Sequence, residues 1–157
     1  MAADSKKALL KQKPSPITSK KSMDLIEVGN MDDDMDKLAE VDWIIEVVVE
    51  NLEVKQKVFA NVDNYRKEGT IVSSNTSGIS VEDMAEGRSE DFRKHFLGTH
   101  FFNPPRYLKL LEVIPTKATD LDVLEFMKRS AKTFSVKGLW RRKIHQTLSP
   151  TGSEPMD

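Results

Sequence analysis

Hydrophobic and polar positions fall in blocks along this chain, and the period changes from block to block. Residues 43–49, Trp43-Ile44-Ile45-Glu46-Val47-Val48-Val49, are β-branched and nearly continuous, which predicts a strand covered on both faces. From 52 to 67 the apolar residues Val54, Val58, Phe59 and Val62 recur at helical spacing, and Gly69 closes that helix. Thr70-Ile71-Val72-Ser73-Ser74 predicts the next strand, followed by the polar turn Asn75-Thr76-Ser77-Gly78 and a helix over 81–85. Residues 96–102 and 108–114 read as two further strands, and 121–132 as a helix. Ahead of this block, 5–12 reads as a short helix stopped by Pro14 and Pro16, and 25–28 as a short strand. Residues 31–41 read as a helix whose acidic start suits its positive end. Strands alternating with helices over short connections predict a parallel α/β sheet with helices on both faces.

In such sheets ligands sit outside the carboxyl ends of the strands. Three polar groups are expected there: Glu50-Asn51, the 74–77 turn, and His100 to Asn103. His100 and Glu112 lie on two consecutive strands, within reach of one another if those strands are neighbours. An imidazole oriented by a carboxylate is a general base. On spacing alone the plainer alternative stands ahead of it: a half-buried histidine at a strand end beside a surface carboxylate. His95, on the same predicted strand but facing the other way, reads as structural. Ser77 and Asn75 are equally ligand donors or turn residues. Lys55, in the first turn of a helix, is by default a solvated surface lysine. No His, Asp or Glu pair has metal-ligand spacing on one helix face.

Composition narrows the classes. The 157 residues carry 24 basic and 25 acidic side chains, so bulk charge favours neither nucleic acid nor a membrane surface as partner. The absence of cysteine excludes disulfides and thiol catalysis and fits a cytoplasmic protein. No apolar run approaches the ~20 residues that span a bilayer.

Taken together, Ile45-Glu46-Val47-Val48-Val49-Glu50-Asn51-Leu52, Ser73-Ser74-Asn75-Thr76-Ser77, Gly98-Thr99-His100-Phe101-Phe102-Asn103-Pro104 and Leu111-Glu112-Val113-Ile114 resemble the NAD-binding domain of 3-hydroxyacyl-CoA dehydrogenases. The likeness is greatest to the dehydrogenase part of bacterial multifunctional fatty-acid β-oxidation proteins, and it spans residues 5–127. The resemblance implies oxidation of the 3-hydroxyl of an acyl-CoA substrate with NAD as cofactor. It makes His100 the catalytic base and Glu112 the carboxylate that orients it. Ser77 and Asn103 become substrate-side groups, and Glu50, Lys55 and Ser77 cofactor-side groups. It reverses the odds on His100.

Two departures shape the expectation. The family opens with a strand and a G-x-G-x-x-G turn that holds a pyrophosphate, and no such pattern occurs in these 157 residues. The fold class expected is therefore an incomplete Rossmann-like α/β domain over 1–127, lacking its first βαβ strands, with the edge of the 43–49 strand left unpaired. A complementary fragment or a homo-oligomer is the partner such an edge invites. Residues 128–157 match nothing in the family and read as a disordered tail. Back-translated from Gly138 and regrouped by one base, however, allowed codons spell Val-Val-Ala-Ala-Lys-Asp-Thr-Pro-Asn-Phe-Ile-Ala-Asn-Arg-Ile-Gly, similar to the family's link into its second domain. That agreement implies a frameshift near residues 127–129. Resequencing the locus is expected to recover a dehydrogenase reading frame downstream; an in-frame ending with no such remnant would refute the frameshift.

Overall fold

The structure is a computed structural model that describes residues 2–9, 11, 20–102 and 110–134. Its centre is a four-stranded sheet in the order β1 (Trp43–Glu46), β2 (Ile71–Ser74), β3 (Phe96–Phe101), β4 (Leu111–Pro115). β1 pairs parallel to β2 with Ile44 opposite Val72, and β2 parallel to β3 with Ser73 opposite Leu97. β4 then runs antiparallel to β3. The expected all-parallel sheet thus ends at β3. The connection from β3 to β4 carries no crossover helix in the sequence, and an antiparallel partner needs none.

Five helices accompany the sheet among the described residues: α1 (Ala2–Leu9), α2 (Leu52–Tyr65), α3 (Val81–Met84), α4 (Glu90–Lys94) and α5 (Leu121–Phe134). Three of them begin on a side-chain cap. Asn51 accepts the Val54 amide at 3.0 Å, Ser80 the Asp83 amide at 3.3 Å, and Ser89 the Phe92 amide at 3.1 Å. Gly69, at φ +80°, supplies the left-handed turn between α2 and β2.

The core lies in two layers. On one face of the sheet, Phe59 and Val62 of α2 meet Val72, Val81, Met84, Ala85, Phe92 and Phe96. The rings of Phe59 and Phe96 pack edge to face at 5.0 Å, and those of Phe92 and Phe96 stack at 5.1 Å. On the other face, Val123 and Met127 of α5 cover Ile71 and Leu97. A buried Arg66 fastens α2 to α4: its guanidinium lies 2.7 Å from Asp91 Oδ2 and over the Phe92 ring at 5.4 Å.

Several expectations need correction. Residues 25–28 form no strand; Lys20–Met23 is a 3-10 turn, Leu25 is 86% exposed, and Glu27 is paired with Lys37 at the surface. Nothing in that segment faces an apolar layer, so no ladder is stabilised. The helix expected over 31–41 is a 3-10 helix, Met35–Glu40. Before it, Asn30 Oδ1 accepts the amides of Asp32 and Asp33 at 2.8 and 2.9 Å, an alternative to helical bonding for those groups.

β1 stops at Glu46, three residues short of expectation. Its end is diverted: the Val48 amide donates to the Glu46 carboxylate and the Asn51 amide to the Val49 carbonyl. Nor is it covered on both faces, since Ile45, Val47 and Val49 are 41%, 67% and 66% exposed. It is the edge strand among the described residues. α4 was not foreseen, and His95 belongs to its end rather than to β3, with Nδ1 2.8 Å from the Asp91 carbonyl. Residues 135–157 and the prolines Pro14 and Pro16 lie outside the described residues.

Gly98 is where the sheet and α3 come closest. A Cβ there would sit 3.0 Å from Val81 Cγ2 and 3.1 Å from Ile114 Cβ. Gly98→Ala is therefore expected to cost about 1–3 kcal/mol. A lowered denaturant midpoint at unchanged slope checks it, and an unchanged midpoint would contradict the close approach.

Candidate active site

His100 stands at the carboxyl end of β3 and Glu112 at the start of β4, directly opposite in the antiparallel register. Opposed residues of such a pair project to the same face. His100 Nδ1 lies 3.0 Å from Glu112 Oε2, with side chains 24% and 27% exposed. A neutral imidazole bonded in this way carries its hydrogen on Nδ1 and presents the Nε2 lone pair outward. The Phe102 ring packs on the imidazole at 4.7 Å, which further limits its rotation. The pair thus has the geometry of a base and its orienting carboxylate.

A second cluster forms after β1 and β2. Glu50, just before α2, turns one oxygen onto the 75–78 turn: Oε1 accepts the Thr76 hydroxyl and the Ser77 and Gly78 amides, the last two at 3.1 Å each. The Thr76 hydroxyl above all, then the two amides and Lys55, hold the Glu50 carboxyl down to about 2 against the opposing effect of desolvation. The carboxylate remains 42% exposed, and Ser77 is exposed beside it.

Lys55 departs furthest from its expected surroundings. Far from being solvated, its side chain is 0% exposed and lies 2.9 Å from Glu46 Oε1, with Glu50 Oε2 at 3.4 Å on its other side. Glu46, which sequence reasoning missed, completes this cluster with Ser74 of the expected 74–77 group, through the bond from Ser74 Oγ to Glu46 Oε2. A signal was available. Lys55 shares a helical stripe with Phe59, Val62 and Arg66, the inward face of α2, and Glu46 interrupts an apolar strand. A charge on an inward face needs a partner.

Asn75 joins the two clusters: its side-chain oxygen accepts the Phe101 amide at 2.9 Å, pinning the turn after β2 to the residue following His100. Asn103 lies outside the described residues. Glu50 and Ser77 follow the carboxyl ends of β1 and β2 and His100 stands at that of β3, the usual position for a ligand crevice. The exposed, ionised Glu50 suits the hydroxyl-rich part of a dinucleotide, whereas no glycine-rich turn for its pyrophosphate is present in the sequence. Among the described residues there is no cluster of three or more His, Cys, Asp or Glu fit to hold a metal ion, and no helix long and apolar enough to cross a membrane.

Comparison with known proteins gives the family. The sequence model of the 3-hydroxyacyl-CoA dehydrogenase NAD-binding domain matches residues 2–138. A probable 3-hydroxyacyl-CoA dehydrogenase of Bacillus subtilis is 66% identical over 133 residues, covering 85% of this chain and 17% of its own length. A probable 3-hydroxyacyl-CoA dehydrogenase of Deinococcus radiodurans is 46% identical over 130 residues, 83% of this chain and 38% of the relative. Among solved structures, (S)-3-hydroxybutyryl-CoA dehydrogenase from Ralstonia eutropha superposes with a TM-score of 0.66 at 30% identity, covering 83% of this chain and 44% of that one. The chain therefore spans well under half the length of these relatives. By sequence and by fold it belongs to the 3-hydroxyacyl-CoA dehydrogenase family, through that family's NAD-binding domain.

Proposed function

We propose that this chain carries the proton-transfer side of an NAD-dependent 3-hydroxyacyl-CoA dehydrogenase acting in fatty-acid β-oxidation. The observation that carries the reading is the 3.0 Å contact of His100 Nδ1 with Glu112 at the mouth of the parallel strands. When bound, NAD supplies the hydride acceptor. The C3 hydroxyl proton of the acyl-CoA passes to His100 Nε2 while the C3–H bond gives up its hydride, and the C3–O bond becomes a carbonyl. Glu112 accepts the hydrogen bond from His100 Nδ1 and stabilises the imidazolium that results. Ser77 and Asn103 orient the substrate oxygen. Glu50 and Ser77 form the cofactor-facing edge, with Lys55 behind Glu50.

The chain is proposed to be inactive alone, because nothing in its sequence supplies the glycine-rich turn. The exposed valines beside the free edge of β1 favour pairing with a fragment that brings that unit. A non-catalytic subunit that complements such a fragment is the second reading.

Two outcomes are expected. NADH formation from a 3-hydroxyacyl-CoA should be absent with the purified chain and appear when a glycine-rich βαβ fragment and the family's acyl-CoA-binding domain are added. In that mixture His100→Gln should lower the rate by about 10²–10⁴-fold, and Glu112→Gln should lower it in the same direction. Full activity in His100→Gln would remove the base from the reading, and turnover by the chain alone would remove the inactivity.

The second concerns Glu50. Its folded pKa, about 2, lies below the ordinary 4.5, so its contribution to stability is complete above about pH 4.5 and is lost as pH falls toward 2. The carboxyl ¹³C resonance of Glu50 should stay that of a carboxylate at pH 3.5. A midpoint at the ordinary value would show that the Thr76, Ser77 and Gly78 bonds do not form.

A further inference from the structure

The most enclosed charges near the site are two that no step of the reaction uses. Lys55 is 0% exposed and Glu46 2%. Both oxygens of Glu46 face the ammonium, at 2.9 and 3.0 Å. Such a pair is a weak source of stability, because the cost of removing both ions from water offsets much of their attraction. An apolar pair would join β1 to α2 as well.

Its other partners show where it acts. Glu46 Oε2 takes the Ser74 hydroxyl, and the Glu46 backbone carbonyl takes the Asn75 amide at 2.9 Å. The Lys55 ammonium reaches Glu50 Oε2, while Glu50 Oε1 holds the Thr76, Ser77 and Gly78 donors. Asn75 in turn holds the Phe101 amide. These partners lie at or beyond the carboxyl ends of the strands, where the proposed ligand-facing turns are.

We infer that Glu46 and Lys55 are positioning residues for the cofactor-facing edge: Glu46 fixes the Lys55 ammonium, Lys55 fixes Glu50, and Glu50 sets the 76–78 turn that presents Ser77. Lys55 then serves the cofactor through Glu50, with no exposed surface of its own. The inference rests on the proposed reading of Glu50 and Ser77 as cofactor-side groups.

Amide hydrogen exchange on the full chain, without cofactor, tests it. In Glu46→Gln and in Lys55→Met the Ser77 and Gly78 amides should exchange about tenfold faster, while Val72 and Leu97 in the sheet stay within about twofold. The double variant should match Lys55→Met alone, since Glu46 acts through Lys55. In wild type the shielded Lys55 ammonium should give a visible ¹⁵Nζ resonance at neutral pH that is lost in Glu46→Gln. Uniform acceleration across the sheet, no change at Ser77 and Gly78, or additive single effects would each overturn the inference. If either single variant fails to fold, Ser74→Ala removes one hydrogen bond and keeps both charges; the same local pattern at about threefold is expected, and its absence overturns the inference equally. Exchange requires neither cofactor nor turnover. Failure here with His100-dependent NADH formation intact would count against the positioning role alone, and the converse against the dehydrogenase reading alone.

Discussion

The register between β3 and β4 is the constraint on which the candidate site depends. His100 and Glu112 are twelve residues apart, and their 3.0 Å contact exists because the antiparallel ladder sets them directly opposite. A slip of one residue would turn Glu112 to the other face of the sheet and leave the imidazole without its carboxylate. The register is held from both ends. At one, Leu97 lies opposite Pro115 and the Thr119 hydroxyl donates to the Phe96 carbonyl; in the middle, Gly98 lets Ile114 and Val81 approach so that a Cβ there would lie only 3.0–3.1 Å from them. At the other, Asn75 grips the Phe101 amide from the turn after β2. Packing in the sheet and polar bonds at its rim therefore specify the same alignment, and a site built on agreement between two independent constraints tolerates little slippage.

The polar rim itself is a connected set of bonds rather than a scatter of ligand groups. Glu46, Lys55, Glu50 and the 74–78 turn share donors and acceptors so fully that each ion has a partner on more than one side. In a low-dielectric setting such a set is strong when complete and costly when broken. That accounts for two charges lying inward on β1 and α2, where apolar residues would pack more cheaply. It also separates two kinds of work in one short segment. The Phe59, Phe92 and Phe96 rings hold α2 and α4 to the sheet, and the ionic set one turn away orients the loops.

How far the sequence discloses this follows the same division. α2, β2 and β3 are legible because their periodicity, caps and glycine stop all indicate the same elements. The 25–28 segment misleads because a four-residue apolar alternation has no meaning without a surface to cover. α4 is hidden by its five-residue length, and its stability comes from Ser89 and Asp91 held by Asp63 and Arg66, which are distant in sequence. The approach of His100 to Glu112 is suggested by their strand positions, but the antiparallel pairing that produces it is not. The burial of Lys55 is invisible residue by residue. It emerges only when Lys55, Phe59, Val62 and Arg66 are seen as one stripe and Glu46 as its counter-ion.

The same physics separates a covered core from an uncovered strand edge among the described residues. The two apolar layers close over β2 and β3, whose buried faces are complete, so the centre of the sheet needs nothing further. β1 is different. Its Glu46 end is fixed inward by the ionic set, while Ile45, Val47 and Val49 stand toward solvent beside a ladder with one free side among the described residues. A strand that is polar-locked on one face and apolar-exposed on the other cannot be improved by repacking from within. A layer added there would lie alongside Glu50, against the proposed cofactor-facing edge. On the proposed reading, a layer that shields this apolar edge would also complete the dinucleotide crevice, and its binding would stabilise the segment.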